Sequence, residues 1–308
     1  MRRFVSLLVA LMVATAGVPM LTPGGTGITA TFAAQAKAKK KNKKKATGHS
    51  EKKKAKASRK EAKAAIVPLL STHGAQATNK LLQLTLPRHM VNQTVNYKAL
   101  TVYFNRTLRI PNCVAYELTN TMVTMADAPT AERRKNHKFH ADPAVAGCPD
   151  WGDYRKSGYT RGHMAPAMDM RGDKLTMAQC FLMTNMCPQE QKLNNDHWRV
   201  LEEKIHRWAK RDARLMVFTG PIVGRQPAHI GPNHDIAVPD AFFKILYAPG
   251  QQRAIAFIYA NKPCPGSWRN YATTIDEVER RTGIDFLTAL PAATQNSLER
   301  MCNPAEWE

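Results

Sequence analysis

The 308-residue chain lacks several patterns that would assign a function at once. It has no glycine-rich phosphate loop, no dinucleotide-binding glycine pattern and no internal repeat, so we expect no small-molecule cofactor. Acidic residues are few, with 24 Asp and Glu against 45 Lys and Arg. The one long apolar run, near the N-terminus, is short for a membrane-spanning helix, which excludes a membrane bundle. The hydrophobic fraction of 44% instead indicates a globular chain that can bury a substantial core.

The first 36 residues have the pattern of a secretory signal peptide. Arg2 and Arg3 form a basic start, residues 4–16 are apolar, and Ala34 and Ala36 fit a small-residue cleavage site. The sequence therefore predicts a secreted or periplasmic protein. An uncleaved N-terminal anchor is the alternative interpretation.

A low-complexity basic arm is predicted over residues 37–65. Between residues 37 and 63 it carries fourteen Lys and Arg against Glu51 and Glu61, which gives +12 of the formal charge of +21. Such a run repels itself and lacks apolar residues, so it should be disordered. It could bind polyanions or anionic surfaces through charge alone, or act only as a solvated linker. The sequence leaves both interpretations open.

Residues 66–308 have the composition of a single folded α+β domain. β-branched and aromatic residues predict strands over residues 81–86, 95–108, 114–119 and 215–220, and a hairpin over 241–259. Residues 177–186 form an apolar run of the length of a buried strand. Basic residues cluster in a predicted loop over residues 127–153, where one or two of them could lie along a nucleic-acid backbone.

Two helices have clear sequence signals. The first is predicted to be capped by Asn194 or Asn195 and to end near residue 211, since it has an apolar stripe made of Trp198, Leu201, Ile205 and Trp208. For the second, Thr274 and Glu277 form a capping box, and Gly283 marks the end.

The six cysteines are an even number in a chain predicted to be exported. One or more disulfides are therefore predicted, with the pairing left open. The competing interpretation is a zinc site, but the chain has no Cys-x-x-Cys spacing, and Cys180, Cys187 and His197 would have to converge from a strand, a turn and a helix.

Arg161 and His163 are the most informative residues in the chain. They lie two residues apart, so in an extended segment both side chains point the same way, and Gly162 between them lets the backbone approach closely. The planar guanidinium of arginine suits phosphate, and histidine can take a proton near neutral pH. The pattern indicates phosphodiester chemistry, whereas Arg-Gly-His on its own is more often a surface turn.

Several further motifs occur in a fixed order around this tripeptide, over residues 153–167, 184–189, 193–202, 218–221, 238–244 and 275–286. With them the sequence resembles the DNA/RNA non-specific endonucleases, the ββα-metal group that includes bacterial secreted nucleases and mitochondrial endonuclease G. The resemblance covers most of residues 95–290. It implies an α+β fold in which a central antiparallel sheet is flanked by helices and carries a ββα-metal finger.

The resemblance also implies a role for each matching side chain: His163 as general base, Arg161 as phosphate contact, Asn194 as ligand of one Mg²⁺ or Mn²⁺, Glu202 as support of its water shell, and Asn185 and Gln189 as substrate-binding residues that shape the site. DNA and RNA backbones are the implied partners, and the products would carry a 5′-phosphate. The simpler alternatives are that Asn194 only caps its helix and that Glu202 only pairs with Arg199 or His206. The sequence leaves a homodimer open.

One position departs from the family pattern. The residue before Arg-Gly-His is usually aspartate, and here it is Thr160, which can accept a hydrogen bond but cannot hold a charge. This puts the rate and the pH optimum in doubt while leaving the base, the phosphate contact and the metal ligand in place. A catalytically weak nucleic-acid or polyanion-binding protein, and a surface adhesin for acidic polymers, are the alternative functions.

Overall fold

The computed structural model describes residues 79–308, which are organised around one antiparallel sheet. The predicted signal peptide and basic arm lie outside the described residues. Seven strands form the sheet in the order β1-β2-β3-β6-β9-β10-β11. Their bounds are β1 Gln93–Asn96, β2 Thr101–Asn105, β3 Ile110–Thr119, β6 Arg214–Ile222, β9 Ala241–Ala248, β10 Arg253–Ala260 and β11 Ala272–Thr273.

Two small antiparallel ribbons accompany the sheet. One pairs β4, Thr160–His163, with β5, Met186–Gln189. The other pairs β7, His229–Ile230, with β8, Ile236–Ala237.

Within residues 79–308, five helical segments of seven or more residues accompany the strands, together with short 3-10 turns. They are α1 Asn120–Asp127, α2 Lys174–Cys180, α3, α4 Ile275–Thr282 and α5 Ala292–Glu299. Helix α3 is composite: an α-helical turn Gln191–Leu193 runs through a π-helical turn Asn194–Trp198 into the α-helix Arg199–Arg211. Within residues 79–308, no helix has both the length and the apolar character needed to cross a membrane. This α+β architecture confirms the predicted fold class.

The sheet separates two apolar interiors, because alternate residues of a strand face opposite sides. On β9, Phe242 and Leu246 join the larger interior with side chains of β5 and α3. Phe243 and Ile245 join the second interior, which α4 and α5 cover. The larger interior is the one that carries the ββα unit formed by β4, β5 and α3.

Helix α3 follows the predicted apolar stripe, with Trp198, Leu201, Ile205 and Trp208 all buried. The predicted cap is wrong. Glu190 is the N-cap, and its side chain accepts a hydrogen bond of 2.7 Å from the backbone N–H of Leu193. The helix therefore begins before Asn194, which leaves that side chain free for another role.

Two predicted strands are also wrong, while the predicted α4 is confirmed. Residues 177–186 form the end of α2 and a 3-10 turn, because Asp173 caps α2 by accepting from Leu175 and Thr176 backbone N–H groups. Residues 81–86 contain part of a 3-10 turn and one isolated bridge at Thr85. Helix α4 begins after its cap Thr274 and ends at a left-handed glycine, as the capping box indicates.

The six cysteines all lie in the described residues, and each is a free thiol. The predicted disulfides are therefore wrong. Cys113, Cys180, Cys187 and Cys264 are buried, and burial raises the pKa of each of these four thiols. Buried, protonated thiols pack as small apolar side chains, which explains their presence without cross-links.

Candidate active site

The β4–β5 ribbon carries the first part of the site. Its register pairs Thr160 with Gln189 and His163 with Met186. The Gln189 side chain lies against Gly162, where a Cβ would be 2.1 Å from Gln189 Oε1. Only glycine leaves this space, so Gly162 is required for the close approach of the two strands.

His163 is a buried imidazole with one nitrogen available. It is 7% exposed and packs between Phe139 and Phe181, with ring centroids 5.6 and 5.0 Å away. Burial, and then the nearby positive charge of Arg134, lowers the pKa of His163 to about 3. Among the described residues, no group forms a hydrogen bond with its Nε2. The side chain is thus a neutral imidazole, able to accept a proton at that atom.

Arg161 lies on the same face of β4 and shares Phe139 with His163. Its guanidinium carbon is 4.8 Å from the Phe139 ring centroid, and its Nη1 donates to the Trp151 carbonyl oxygen over 3.2 Å. Its buried Nε has no acceptor in the described part of the chain. A phosphate oxygen would satisfy this donor.

Asn194 is held by the residue that departs from the family pattern. Its Nδ2 donates to Thr160 Oγ1 over 2.9 Å, and the Thr160 hydroxyl donates to the Gln189 carbonyl oxygen, also over 2.9 Å. Since the Asn194 amide nitrogen is engaged, its oxygen is the atom left for a ligand. The alternative in which Asn194 only caps its helix is wrong, because Glu190 is the cap.

Glu202 lies farther along α3 as a buried carboxyl. Burial raises the pKa of Glu202 to about 7, with the Lys244 ammonium acting in the opposite direction. The Lys244 Nζ is 3.7 Å from Glu202 Oε1, an oxygen that has no hydrogen-bond donor in residues 79–308. The suggested partners are engaged elsewhere: Arg199 pairs with Glu203, and His206 contacts two aspartates.

Lys244 is a residue of the site that sequence reasoning missed. It is completely buried on β9, and its Nζ donates to the Met164 carbonyl oxygen over 3.1 Å and to Thr219 Oγ1 over 3.3 Å. The same Nζ lies 4.5 Å from the Trp198 ring centroid. A lone charge within the otherwise uncharged strand Ala241–Ala248 was the available signal.

Further buried polar groups lie near the Lys244–Glu202 pair and lead toward the surface. Asp169 accepts from the Tyr116 hydroxyl over 2.9 Å and contacts His206 Nδ1 at 2.9 Å. His206 Nε2 reaches Asp127 at 3.1 Å. Although burial opposes the charge, contacts with both aspartates raise the pKa of His206. The hydrogen bonds fix the His206 ring, and with it the face of α3 that carries Glu202.

Asn185 supports the backbone around the site, whereas the side-chain amide of Gln189 has no hydrogen-bond partner among the described residues. The Asn185 amide donates to the carbonyl oxygens of Ala165 and Cys180 and accepts from the Ala165 N–H, at 2.8 to 2.9 Å. Gln189 is fully buried against Gly162. Neither side chain is among those that line the adjoining cleft. The hydrogen bonds of Asn185 fit a positioning role, and the substrate contact predicted for both residues stays a prediction.

A cleft of about 700 Å³ brings three of the predicted residues together. His163, Asn194 and Glu202 line it, whereas Arg161 lies beside Phe139 outside the lining. Four arginines contribute positive charge to the cleft: Arg133, Arg134, Arg171 and Arg199. The first two come from the basic loop in which the sequence predicted backbone contacts. One opening thus contains a neutral base, two oxygen-bearing side chains and several guanidinium groups, a set that suits a phosphodiester.

The oxygen atoms of the cleft fit a hard divalent cation. Such ions prefer amide and carboxylate oxygens, and Mg²⁺ retains several waters, so few protein ligands are needed. The amide oxygen of Asn194, whose nitrogen is engaged by Thr160, fits direct coordination, and the carboxyl group of Glu202 in the cleft lining fits a contact with a coordinated water.

Comparison with known proteins places this geometry in context. The profile described as DNA/RNA non-specific endonuclease matches residues 77–293, more than half of the chain. Nuclease 1, mitochondrial, of Schizosaccharomyces pombe is 28% identical over 243 residues, covering 71% of this chain and 73% of that protein. A nuclease of Nostoc sp. is 30% identical over 213 residues, covering 64% and 73%. The solved EndoG/EndoGI complex aligns with a TM-score of 0.60 at 25% identity, covering 65% of this chain and 88% of that chain.

These relatives contradict the predicted secreted or periplasmic location. Several of them, including the S. pombe protein, are mitochondrial nucleases and point to mitochondria, although bacterial nucleases match as well. The reason for the error is physical. Residues 1–36 are basic and apolar and contain no acidic residue, and a lack of acidic residues is also typical of mitochondrial transit peptides.

Proposed function

Because this chain belongs to the DNA/RNA non-specific endonuclease family and is a nuclease, we propose that it hydrolyses phosphodiester bonds in both DNA and RNA without regard to the sugar. We propose His163 as the general base and Asn194 as the ligand of one Mg²⁺ or Mn²⁺, with products that carry a 5′-phosphate. The observation that carries the proposal is the shared cleft, which His163 and Asn194 both line; within residues 79–308 the His163 Nε2 has no hydrogen-bond partner, and the Asn194 amide nitrogen is engaged by Thr160.

His163 would take a proton from the attacking water at Nε2. Its lowered pKa keeps the ring neutral at physiological pH but also makes it a weaker base, and the negative charge of a bound phosphate would raise that pKa toward neutrality. Packing against Phe139 and Phe181 fixes the ring plane, which orients the lone pair. General-base catalysis of this kind contributes about 10²- to 10⁴-fold to the rate.

Asn194 and Glu202 would hold the metal ion, directly and through a water. When bound, the ion would stabilise the negative charge that develops on the phosphate and on the departing oxygen. The Lys244 ammonium favours the charged form of Glu202 despite its burial. Thr160 would keep the Asn194 amide in its orientation by the two hydrogen bonds of its hydroxyl.

Arg161 and the cleft arginines would bind the phosphates. The unsatisfied Arg161 Nε is a donor beside the base, and Arg134 lies close enough to influence His163. These contacts recognise the backbone and not the bases, which is consistent with cleavage of both nucleic acids. The basic stretch over residues 37–63 would add a salt-sensitive attraction to anionic surfaces.

The test is cleavage of plasmid DNA and of RNA with Mg²⁺, with and without a chelator, by the wild type and His163→Ala. We expect the chelator to stop cleavage and the substitution to lower kcat by about 10²- to 10⁴-fold. His89→Ala is the matched control, because His89 is exposed and away from the cleft lining. Equal rates for wild type and His163→Ala would remove His163 from the mechanism. Full binding without cleavage by the wild type would favour the catalytically weak binding protein.

A further inference from the structure

Trp151 is the exposed member of the five tryptophans. Its exposed fraction is 37%, while Trp198, Trp208, Trp268 and Trp307 are 0–6% exposed. It opens a short 3-10 turn, Trp151–Tyr154, in the segment that leads into β4. A large aromatic side chain held at the surface next to the site is a candidate surface for stacking.

A line of alternating guanidinium and aromatic groups connects Trp151 with the proposed general base. Phe139 packs against His163 and lies under the Arg161 guanidinium. Arg161 in turn donates to the Trp151 carbonyl oxygen, and the Arg155 guanidinium carbon is 4.7 Å from the Trp151 ring centroid. We call Phe139, Arg161, Trp151 and Arg155 the cation–aromatic track.

A basic groove of about 490 Å³ shares Arg155 with the track. Arg155, Lys156, His229 and His234 contribute nitrogen-bearing side chains to its lining. Its one carboxylate, Asp153, is already engaged, since it contacts Arg109 at 3.2 Å and accepts from the Asp150 N–H over 3.0 Å. The groove therefore presents uncompensated positive charge, which complements a phosphate chain.

We propose that the cation–aromatic track binds a single-stranded segment of nucleic acid beside the scissile phosphate. An unpaired base would stack on Trp151, and Arg155 and Lys156 would contact the phosphates that follow. This inference rests on the proposed function, because the strand is taken to run toward His163 as the general base. Bases in a duplex are stacked on one another, so Trp151 would discriminate in favour of unpaired DNA or RNA. Aromatic platforms with basic neighbours bind single strands in this sequence-tolerant way.

Binding is measured in the His163→Ala background with chelator, so that nothing is cut. The probes are a fluorescein-labelled single-stranded DNA oligonucleotide, an RNA of the same sequence, and the DNA duplex. We expect Trp151→Ala to weaken the binding of both single strands on the order of 10-fold and the binding of the duplex less than 2-fold. Trp151→Phe should retain most of the affinity, because it keeps a ring. Val91→Ala, at another exposed apolar side chain, is the control.

Intrinsic fluorescence gives a second readout. Since the other four tryptophans are buried, quenching by the unlabelled single strand should come from Trp151 and should vanish in Trp151→Phe. Unchanged quenching in that variant, or an equal loss of duplex and single-strand affinity in Trp151→Ala, would overturn the proposal. Failure of the proposed function looks different: the wild type would not cleave, yet Trp151-dependent binding would persist.

Discussion

Phe243 and Lys244 are neighbours on β9, yet they enter different interiors on the two faces of the sheet. Phe243 packs against Phe286, with ring centroids 5.6 Å apart, in a cluster of apolar side chains. Lys244 lies beside Glu202 in an interior that also buries Asp169 and His206. Burying ionisable groups opposes folding unless they are paired, whereas apolar burial favours it. Phe243 thus contributes apolar burial to the fold, whereas Lys244, on the other face, belongs to a group of buried ionisable side chains that lowers the stability of an otherwise apolar interior.

Phe243→Ala should have the largest effect on stability. Removing a buried ring leaves a cavity, and we expect the free energy of unfolding to fall by about 3–5 kcal/mol. The kcat of the folded variant should be unchanged, because Phe243 faces away from the cleft. Urea denaturation and initial rates in the native baseline measure the two quantities. A loss of kcat in a fully folded sample would show that the face with Phe243 also contributes to the active site.

Lys244→Met should have the opposite effect to Phe243→Ala: it should reduce activity more than stability. Without the ammonium, the main influence that opposes burial is lost and only the weaker effect of Arg134 remains, so the pKa of Glu202 should rise and the carboxyl should be protonated at neutral pH. We expect a loss of about 10- to 100-fold in kcat/KM and in Mn²⁺ affinity, the latter measured by calorimetry. Lys210→Met, which removes an exposed ion pair with Asp127, is the control. Activity within 2-fold of wild type would show that Glu202 does not depend on Lys244.

The pH dependence of stability should reveal His163. Its pKa is about 3 when folded and about 6.5 when unfolded, so the unfolded state binds the proton more readily in this interval. The stability of the folded form is therefore complete above about pH 6.5 and is lost as the pH falls toward 3. Between pH 7 and 5, the difference in unfolding free energy between wild type and His163→Gln should change by about 2 kcal/mol. Glu202 is present in both proteins, so its opposite contribution cancels. A constant difference would contradict a buried neutral imidazole.

Thr160→Val should have the smallest effect. It keeps the shape but removes the hydroxyl between Asn194 and Gln189, and each lost hydrogen bond contributes about 1 kcal/mol. We expect the Mn²⁺ concentration for half-maximal activity to rise by about 3- to 10-fold, while Thr160→Ser stays near wild type. If the two variants behave alike, the hydroxyl does not position Asn194.

The sequence predicts the site face well where the interactions are local. The apolar stripe of α3 depends on 3.6-residue spacing, and the pairing of Arg161 and His163 on one face of β4 depends on two-residue spacing. Thr274 and Gly283 likewise delimit α4 through contacts within the helix itself. Such features need no knowledge of distant parts of the chain.

Other features depend on residues far apart in sequence. Lys244 meets Glu202 across 42 positions, and nothing in the strand pattern indicates which carboxylate a buried lysine will meet. Glu190 caps α3 in place of Asn194 because β5 ends just before it. The first part of the apolar segment 177–186 is helical because Asp173 caps α2. The oxidation state of the cysteines was inferred from the predicted compartment, so it failed with that prediction.

The π-helical turn Asn194–Trp198 sets the rotational phase of everything that follows in α3. In a regular α-helix each residue advances by about 100°, so Asn194 and Glu202, eight residues apart, would point about 80° apart. A π turn accommodates one additional residue, which offsets about 100° of rotation and leaves the two side chains within roughly 20° of each other. The buried side chains Leu201, Ile205 and Trp208 hold the later part of the helix in the core, so deleting a single residue from the turn should turn Asn194 away from Glu202 by about 100°. The alignment of the Asn194 and Glu202 side chains thus depends on one additional residue in the helix.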